Sequence, residues 1–154
     1  MTTKAGNAMK TGTIRIEHPL ATGREAASEE VWEFPEGLIG LPDYRSFALV
    51  ELPQAPPFRL LASVDDPSFG LVLVAPTALV PDYELAMEPT ELSALGPAGR
   101  RAPEVLVPVV LPVGNDPLSL NLKGPILFAP ETRRAIQRVS RDDRHAIRFT
   151  PCSS

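Results

Sequence analysis

Short apolar runs alternate with polar residues along much of the chain, and this pattern predicts β-strands. The stretch TIRIEH at 13–18 sets Ile14 and Ile16 between polar neighbours, which is the period of a half-buried strand. Runs of similar length follow at VWEF, SFALVEL, FRLLASV and LVLV, and proline, glycine or acidic residues lie near their ends. ATGREAASEE, before VWEF, is predicted to be a polar loop or a helical turn.

The second half of the chain contains the most apolar of these runs. EVLVPVVLPV at 104–113 is almost entirely aliphatic, which predicts a central strand buried on both faces, with Pro108 at a bulge or an unpaired position. LSLNL at 118–122 alternates, so its leucines share one face and Ser119 and Asn121 the other. Further along the chain, ETRRAIQRVSRDD at 131–143 fits either a helix or a hairpin with two arginines, Arg133 and Arg134, at its tip.

One stretch carries a clear helix signal. PTELSALGP at 89–97 has Thr90 as its predicted N-cap and Gly96 as its stop. Elsewhere the 18 prolines argue against long helices, because a proline inside a helix costs about 3 kcal/mol. We therefore predict a mainly β fold, either a sandwich or a small barrel of eight or more short strands.

Length and composition set the domain organisation. A chain of 154 residues can bury a real core as a single domain, predicted here for 12–150, with flexible tails at 1–11 and 151–154. The one cysteine, Cys152, excludes an internal disulfide, and no apolar run reaches the roughly 18 residues that a membrane span needs. We expect a cytoplasmic protein with no membrane contact.

Charge is distributed unevenly along the chain. Residues 1–99 contain fourteen acidic and six basic residues, whereas the remainder contains nine basic and five acidic ones. Between Leu60 and Gly99 there are six acids and no Lys or Arg. This separation either creates a surface field that steers a charged partner or supplies two ordinary solvated faces.

The residue types that carry catalysis do not form a recognisable pattern. His18 and His145 are the two histidines, and neither matches a nucleophile or metal-ligand spacing. Asp65 and Asp66 are adjacent carboxylates, a pair that in principle serves acid and base chemistry. A turn explains them better, with Asp66 at its first position, bonding the backbone two residues on, and Pro67 at its second. We expect no enzyme activity and no metal.

Nucleic-acid and phosphate binding have little support. The arginines between 133 and 148 lack the exposed aromatic residues of a nucleic-acid surface, and the chain is net acidic at −4. GLIG at 37–40 lacks the lysine and the following helix of a phosphate-binding loop. Direct contact with RNA is therefore not expected.

With these segments in order, the chain resembles the bacterial flagellar assembly factor FliW family. The resemblance covers about residues 12 to 140. Its matching pieces are FPEGLIGLPDY at 34–44, SVDDPSFGLVL at 63–73, VPDYEL at 80–85, and LNLKGPILF at 120–128 followed by TRRAIQRV. It favours the hairpin over the helix for the last of these.

The resemblance implies a mainly β fold, a small antiparallel barrel-like domain with one or two short helices. It also implies a cytoplasmic protein that works by binding proteins and needs no cofactor. FliW-like proteins bind the translational repressor CsrA and relieve its block on flagellin mRNA. They also bind flagellin, which competes for them. Two other classes stay open: a flagellin chaperone without a role in translation, and a small ligand-binding barrel.

Five residues are the predicted partner contact, and eight are predicted to be structural. An acidic surface suits a basic RNA-binding partner, and tyrosine is frequent at binding hot spots; the alternative is that PDYE is a turn with its tyrosine tucked into the barrel. The predicted contact residues are Asp65, Asp66, Asp82, Tyr83 and Glu84. The predicted structural residues are Phe34, Gly37, Gly40, Pro42, Pro67, Asn121, Gly124 and Pro125. The first four are expected to form a corner between strands, with an apolar patch at its edge.

Overall fold

A computed structural model describes residues 13–97, 102–112 and 114–151 of the chain. The predicted tails at 1–11 and 151–154 lie outside these ranges except for Pro151, and so does Cys152. The described strands are β1 (Thr13–Arg15), β2 (Glu25–Ala27), β3 (Val31–Glu33), β4 (Ser46–Glu51), β5 (Arg59–Ser63), β6 (Gly70–Val74), β7 (Glu104–Val110), β8 (Ser119–Leu120), β9 (Ile126–Ala129) and β10 (Arg134–Gln137). Short 3₁₀ helices cover Pro19–Ala21, Ser28–Glu30, Pro76–Ala78 and Pro89–Leu95.

Seven of the strands close into a barrel. Their order is β3-β4-β5-β6-β7-β9-β10, and neighbours are antiparallel except where β10 meets β3. That parallel pair places Arg134 opposite Glu33, and the Glu33 amide donates to the Arg133 carbonyl at 2.9 Å. The mainly β, barrel-like prediction is confirmed, with one parallel closing pair that strand patterns alone do not reveal.

The predicted central strand, β7, has partner strands on both edges, and Pro108 lies in register opposite Leu73 of β6, so the prediction of a bulge or an unpaired position was wrong. Residues 104–106 pair with β9, whereas residues 107–109 pair with β6. Pro108 has no N–H for a ladder, but its carbonyl accepts the Asn121 amide at 2.9 Å. Here β8 joins as an eighth strand outside the barrel, pairing with the end of β7. Both faces of the middle of β7 are buried, as the aliphatic run predicted.

The barrel interior is filled by side chains from all seven of its strands. Phe34, Phe47 and Phe128 are completely buried and meet edge to face, with ring centroids 4.8 and 6.0 Å from Phe34. Burying each such side chain contributes about 1.5–3 kcal/mol. The other buried members of this cluster are Trp32, Leu38, Leu61, Leu73, Leu106, Ile126 and Ala135. The centre of the barrel is therefore a packed core.

A second core covers the outside of β4 to β7. Along β4, Phe47 points inward while Ala48 and Val50 belong to this outer cluster. The β1–β2 hairpin, β8 and the segment around Phe149 pack over it. The prediction of a loop for ATGREAASEE was wrong at β2, because Ala26 is fully buried here and pairs with Ile14. Tertiary packing, not local periodicity, makes these three residues a strand.

The predicted helix packs on the outer face of β9 and β10. Pro89–Leu95 forms as a 3₁₀ helix, and Leu95 is buried with Leu127 and Ile136. Its N-cap is Glu88, whose amide donates to the Glu91 carboxylate at 2.8 Å, so the assignment of Thr90 as N-cap was wrong. Gly96 ends the helix at φ +95°, as predicted.

The TRRAIQRV segment forms a hairpin with β9, which decides between the two predicted alternatives. Thr132 and Arg133 lie in its turn, and Arg133 adopts φ +62°. The Arg133 guanidinium lies 4.0 Å from the centre of the Trp32 ring, a cation–π contact that ties the turn to β3.

The FPEGLIGLPDY segment is the corner predicted from its glycines and prolines. Leu38 and Leu41 bracket a tight turn in which the Leu41 amide donates to the Leu38 carbonyl at 2.8 Å. Phe34 anchors the segment in the barrel interior, while Ile39 lies at the turn's tip with 57% of its surface exposed. The corner thus presents an apolar side chain at its edge.

Candidate functional site

Asp65 and Asp66 lie in the β5–β6 turn, and their carboxylates bond to neighbouring backbone and side chains. Asp66 accepts the Ser68 amide at 3.2 Å and the Tyr44 hydroxyl at 2.8 Å. These hydrogen bonds, first of all that from Tyr44, lower the pKa of Asp66. Asp65 accepts the amides of Arg45 and Ser46 at 2.8 and 3.1 Å. Both carboxylates therefore hold the corner against this turn.

The β5–β6 turn has the geometry predicted from Asp66 and Pro67. The Phe69 amide donates to the Asp66 carbonyl at 2.9 Å, which puts Asp66 first and Pro67 second in the turn. Asp65 is exposed, and its role in a partner contact stays a prediction. No described group of three His, Cys, Asp or Glu residues has a geometry that would hold a metal ion.

The two histidines lie in different places with different roles. His18 caps the Pro19–Ala21 helix by accepting the Leu20 amide at its Nδ1. His145 is buried; its Nδ1 lies 2.6 Å from the Ser140 hydroxyl, and its Nε2 lies 3.8 Å from the Asp142 carboxylate.

The Ser140, His145 and Asp142 side chains are of the types found in a hydrolase triad. Ser140, however, is 1% exposed, and its hydroxyl also accepts the Asp142 amide at 3.2 Å. A substrate has no access to that oxygen. The arrangement holds the 140–145 turn in place.

A groove of about 230 Å³ opens beside Tyr83. Its floor is apolar, and the Tyr83 and His145 rings stack there with centroids 4.4 Å apart and planes 17° apart. Its rim carries Asp82, Glu84 and Arg144. The remaining lining residues are Val80, Leu122 and Phe149. We call this the Tyr83 groove.

The rim of the Tyr83 groove is negatively charged. Asp82 and Glu84 are exposed and form no ion pair within the described parts of the chain. Arg144 is bound to Asp142, with a shortest N–O distance of 2.7 Å. The pKa of Arg144 is raised by this pairing and further by the charges of Glu84 and Asp82. Two carboxylates therefore remain available for a cationic partner.

Tyr83 is partly buried, and its role in a partner contact stays a prediction. Its ring packs against the outer core, and its hydroxyl is buried without a hydrogen-bond partner in the described structure. Burial, with a contribution from Asp142, raises its pKa to about 12. An unsatisfied buried hydroxyl costs about 1–3 kcal/mol, and such groups call for an explanation. The tyrosine is tucked under the groove while its neighbours Asp82 and Glu84 face solvent.

A larger groove, which sequence patterns did not indicate, lies at the Pro89–Leu95 helix. It has a volume of about 410 Å³. Four prolines line it: Pro89, Pro97, Pro103 and Pro130. The other lining residues are Met87, Leu92, Ser93, Leu95, Gly96, Ala102, Ala129, Glu131 and Thr132. We call this the proline-walled groove.

Asn121, Gly124 and Pro125 lie in the connection between β8 and β9. The Asn121 side chain accepts the Lys123 amide at 3.0 Å, and the amide group packs against the face of Gly124, where a Cβ atom would lie 3.0 Å from its nitrogen. Gly124 and Pro125 are buried. Gln137 completes the arrangement by donating to the Gly124 carbonyl at 2.9 Å and accepting the Ile39 amide at 3.0 Å.

Comparison with known proteins identifies the family. The model of the FliW protein family matches residues 15–151. The chain belongs to the FliW family. It is 38% identical over 123 residues to the flagellar assembly factor FliW of Symbiobacterium thermophilum, covering 78% of this chain and 88% of that protein. It is 31% identical over 126 residues to FliW of Leptospira interrogans, covering 80% and 83% respectively.

A solved structure supports the fold. The crystal structure of a flagellar assembly factor FliW superposes on this FliW-family chain with a TM-score of 0.78, covering 90% of this chain and 96% of that one at 24% identity.

The longest described helix, Pro89–Leu95, has seven residues, so no described helix is long enough to span a bilayer.

Proposed function

We propose that this flagellar assembly factor is a cytoplasmic antagonist of the translational repressor CsrA and also binds flagellin. By binding the repressor it relieves the block on flagellin mRNA, and free flagellin then takes it away from the repressor. Family membership supports the role in flagellar assembly. The acidic rim of the Tyr83 groove is the observation that supports a site for the repressor.

The chemistry of the Tyr83 groove suits a basic protein surface. Asp82 and Glu84 are exposed carboxylates at its rim, and a negative rim speeds the encounter with a positive partner. The stacked rings of Tyr83 and His145 provide a rigid apolar floor for an arginine or lysine side chain. Asp65 and Asp66 are engaged with the corner instead, so the proposal centres on Asp82, Tyr83 and Glu84.

Binding, not chemical conversion, is the proposed mode of action. The barrel interior is packed with aromatic and aliphatic side chains, so it offers no support for a ligand-binding barrel. The buried Ser140 hydroxyl gives no support for a hydrolase. A second candidate, a dedicated flagellin chaperone without a role in translation, is favoured by the apolar proline-walled groove.

A gel shift of flagellin leader RNA tests the proposed function. The repressor should retard the RNA, this protein should release it, and added flagellin should restore the retarded band. The charge-reversal variant D82K/E84K should release RNA about tenfold less effectively, equivalent to about 1.4 kcal/mol of lost binding. D43K/D116K, which changes the net charge equally at exposed residues outside the groove, is the matched control.

Two results would contradict the proposal in different ways. Failure of the wild-type protein to release the RNA, with flagellin still bound in a pull-down, would leave the chaperone alternative. Equal release by D82K/E84K and wild type, with unchanged circular dichroism spectra, would remove the Tyr83 groove from the repressor contact.

A further inference from the structure

Arg144 is a cation of the chain itself that lies beside the exposed acids of the Tyr83 groove. It lines the groove together with Asp82 and Glu84, and 74% of its side chain is exposed. A guanidinium in this position is attracted to both carboxylates, and pairing with them would cancel one of the two negative charges at the rim. Among the described residues, however, neither Asp82 nor Glu84 forms an ion pair.

The Asp142 carboxylate binds Arg144 through four hydrogen bonds. The Arg144 backbone amide donates to Oδ1 at 2.9 Å, and Nε donates to Oδ1 and Oδ2 at 3.1 and 3.2 Å. Nη2 donates to Oδ2 at 2.7 Å. Contacts in which two guanidinium nitrogens meet one carboxylate are strong and directional. They fix the direction of an otherwise mobile side chain.

The backbone of Asp142 is held independently of its carboxylate. The Asp142 amide donates to the Ser140 hydroxyl at 3.2 Å, and its carbonyl accepts the His145 amide at 3.0 Å and the Lys123 ammonium at 3.3 Å. The turn therefore places the carboxylate where it meets Arg144. His145 Nε2, at 3.8 Å, is the other described nitrogen near it.

The charges around the groove show what this arrangement achieves. With His145 neutral, three carboxylates and one guanidinium leave two negative charges. Because the guanidinium is bound to Asp142, these two charges are those of Asp82 and Glu84. The pKa of Arg144 is raised first by Asp142 and also by Glu84 and Asp82, so the guanidinium lies within electrostatic reach of all three. Released from Asp142, it would be drawn to the rim.

We propose that Asp142 is a positioning residue that keeps the rim of the Tyr83 groove open to a cationic partner, because it holds Arg144 off Asp82 and Glu84. This inference rests on the proposed function, in which the partner is a basic surface of the repressor. It adds a residue that determines affinity by restraining a competing internal cation. Asp142 needs no contact with the partner for this role.

Asp142→Asn tests the role, and titration calorimetry with the repressor measures it. Asparagine keeps the size of the side chain but loses the charge that holds Arg144, so affinity should fall about fivefold. Asp143→Asn is the matched control, because it removes the same charge at the next residue, which is exposed, and should change affinity by less than about twofold. The double variant D142N/R144Q removes the competing cation as well and should recover the wild-type affinity.

The rescue separates positioning from a merely structural role. Equal weakness of D142N and D142N/R144Q overturns the inference, and so does wild-type affinity in D142N or an equal loss in D143N. Absence of repressor binding by the wild type overturns the proposed function and the inference with it.

A variant that leaves Asp142 in place decides the case in which D142N melts early. Arg144→Lys keeps the net charge, but a lysine cannot form the two-nitrogen contact with Asp142. The ammonium is then free to reach the rim, so R144K must bind the repressor more weakly than the wild type. Equal affinity of R144K and wild type overturns the inference.

Discussion

At the scale of single residues, two glycines in the same corner have different reasons to be glycine. Gly37 and Gly40 both have positive φ, +68° and +85°. A Cβ atom on Gly37 would lie 2.6 Å from the Leu41 carbonyl oxygen and from the Pro42 Cα atom. A Cβ atom on Gly40 would have no heavy atom outside its immediate chain neighbours within 4 Å. Backbone conformation alone constrains Gly40, whereas conformation and packing both constrain Gly37.

Alanine at each position separates these two constraints. Gly40→Ala should lower the free energy of unfolding by about 1–2 kcal/mol, the cost of a left-handed backbone for an L residue. Gly37→Ala should lower it clearly more, because Leu41 and Pro42 must also move. Urea unfolding of both variants beside the wild type measures the difference. Equal losses would show that the close approach of Pro42 adds no constraint.

At the scale of elements, β10 joins segments that are distant in sequence. Gln137 bridges the corner at Ile39 and the turn at Gly124. The next residue, Arg138, pairs with Glu36 at 2.7 Å and donates to the Glu91 carbonyl at 2.9 Å, and pairing with Arg138 lowers the pKa of Glu36. One strand end thus holds the corner and the Pro89–Leu95 helix in register with the barrel.

Gln137→Leu tests this bridging role. The variant keeps a side chain of similar size but leaves the Gly124 carbonyl, which is buried, without its donor. We expect a loss of about 1–3 kcal/mol in the free energy of unfolding and faster amide exchange at Ile39. Gln54→Leu, at an exposed side chain with a 3.4 Å contact, is the control and should change stability by less than about 0.5 kcal/mol. Similar losses in both variants would argue against the bridge.

At the scale of the whole molecule, the 141–145 segment connects the Pro89–Leu95 helix with the Tyr83 groove. Arg141 pairs with Glu91 of the Pro89–Leu95 helix at 2.7 Å. Three residues later Arg144 lies at the rim of the Tyr83 groove, followed by His145 in its floor. A partner the size of a folded protein, bound at the Tyr83 groove, should extend over this neighbouring segment and obstruct a second protein there. Mutual exclusion therefore does not require that they contact the same residues.

A mixture of all three proteins tests this expectation. Size-exclusion chromatography with light scattering should show two binary complexes whose proportions follow the flagellin concentration. A stable complex that contains this protein, the repressor and flagellin together would contradict mutual exclusion. It would leave the repressor contact, as tested separately with D82K/E84K, unaffected.

The sequence by itself determined the fold class and the local chemistry of the turns. Short apolar runs bounded by proline, glycine or acidic residues predicted β4 to β6, and the continuous aliphatic run predicted β7. The Asp66–Pro67 pair indicated a turn between β5 and β6, and the glycines of the corner indicated positive φ angles. Both could be predicted from the sequence because the backbone preferences of turn residues depend mainly on the residue itself and its neighbours in the chain.

Only the tertiary structure decided the closure of the barrel and the positions of the grooves. β2 is a strand because Ala26 is buried by distant segments, and the barrel closes through a parallel pair between β3 and β10. Each groove is built from segments separated in sequence, such as Tyr83 with His145 and Leu92 with Pro130. Such contacts depend on packing between distant parts of the chain, which local pattern and propensity do not encode.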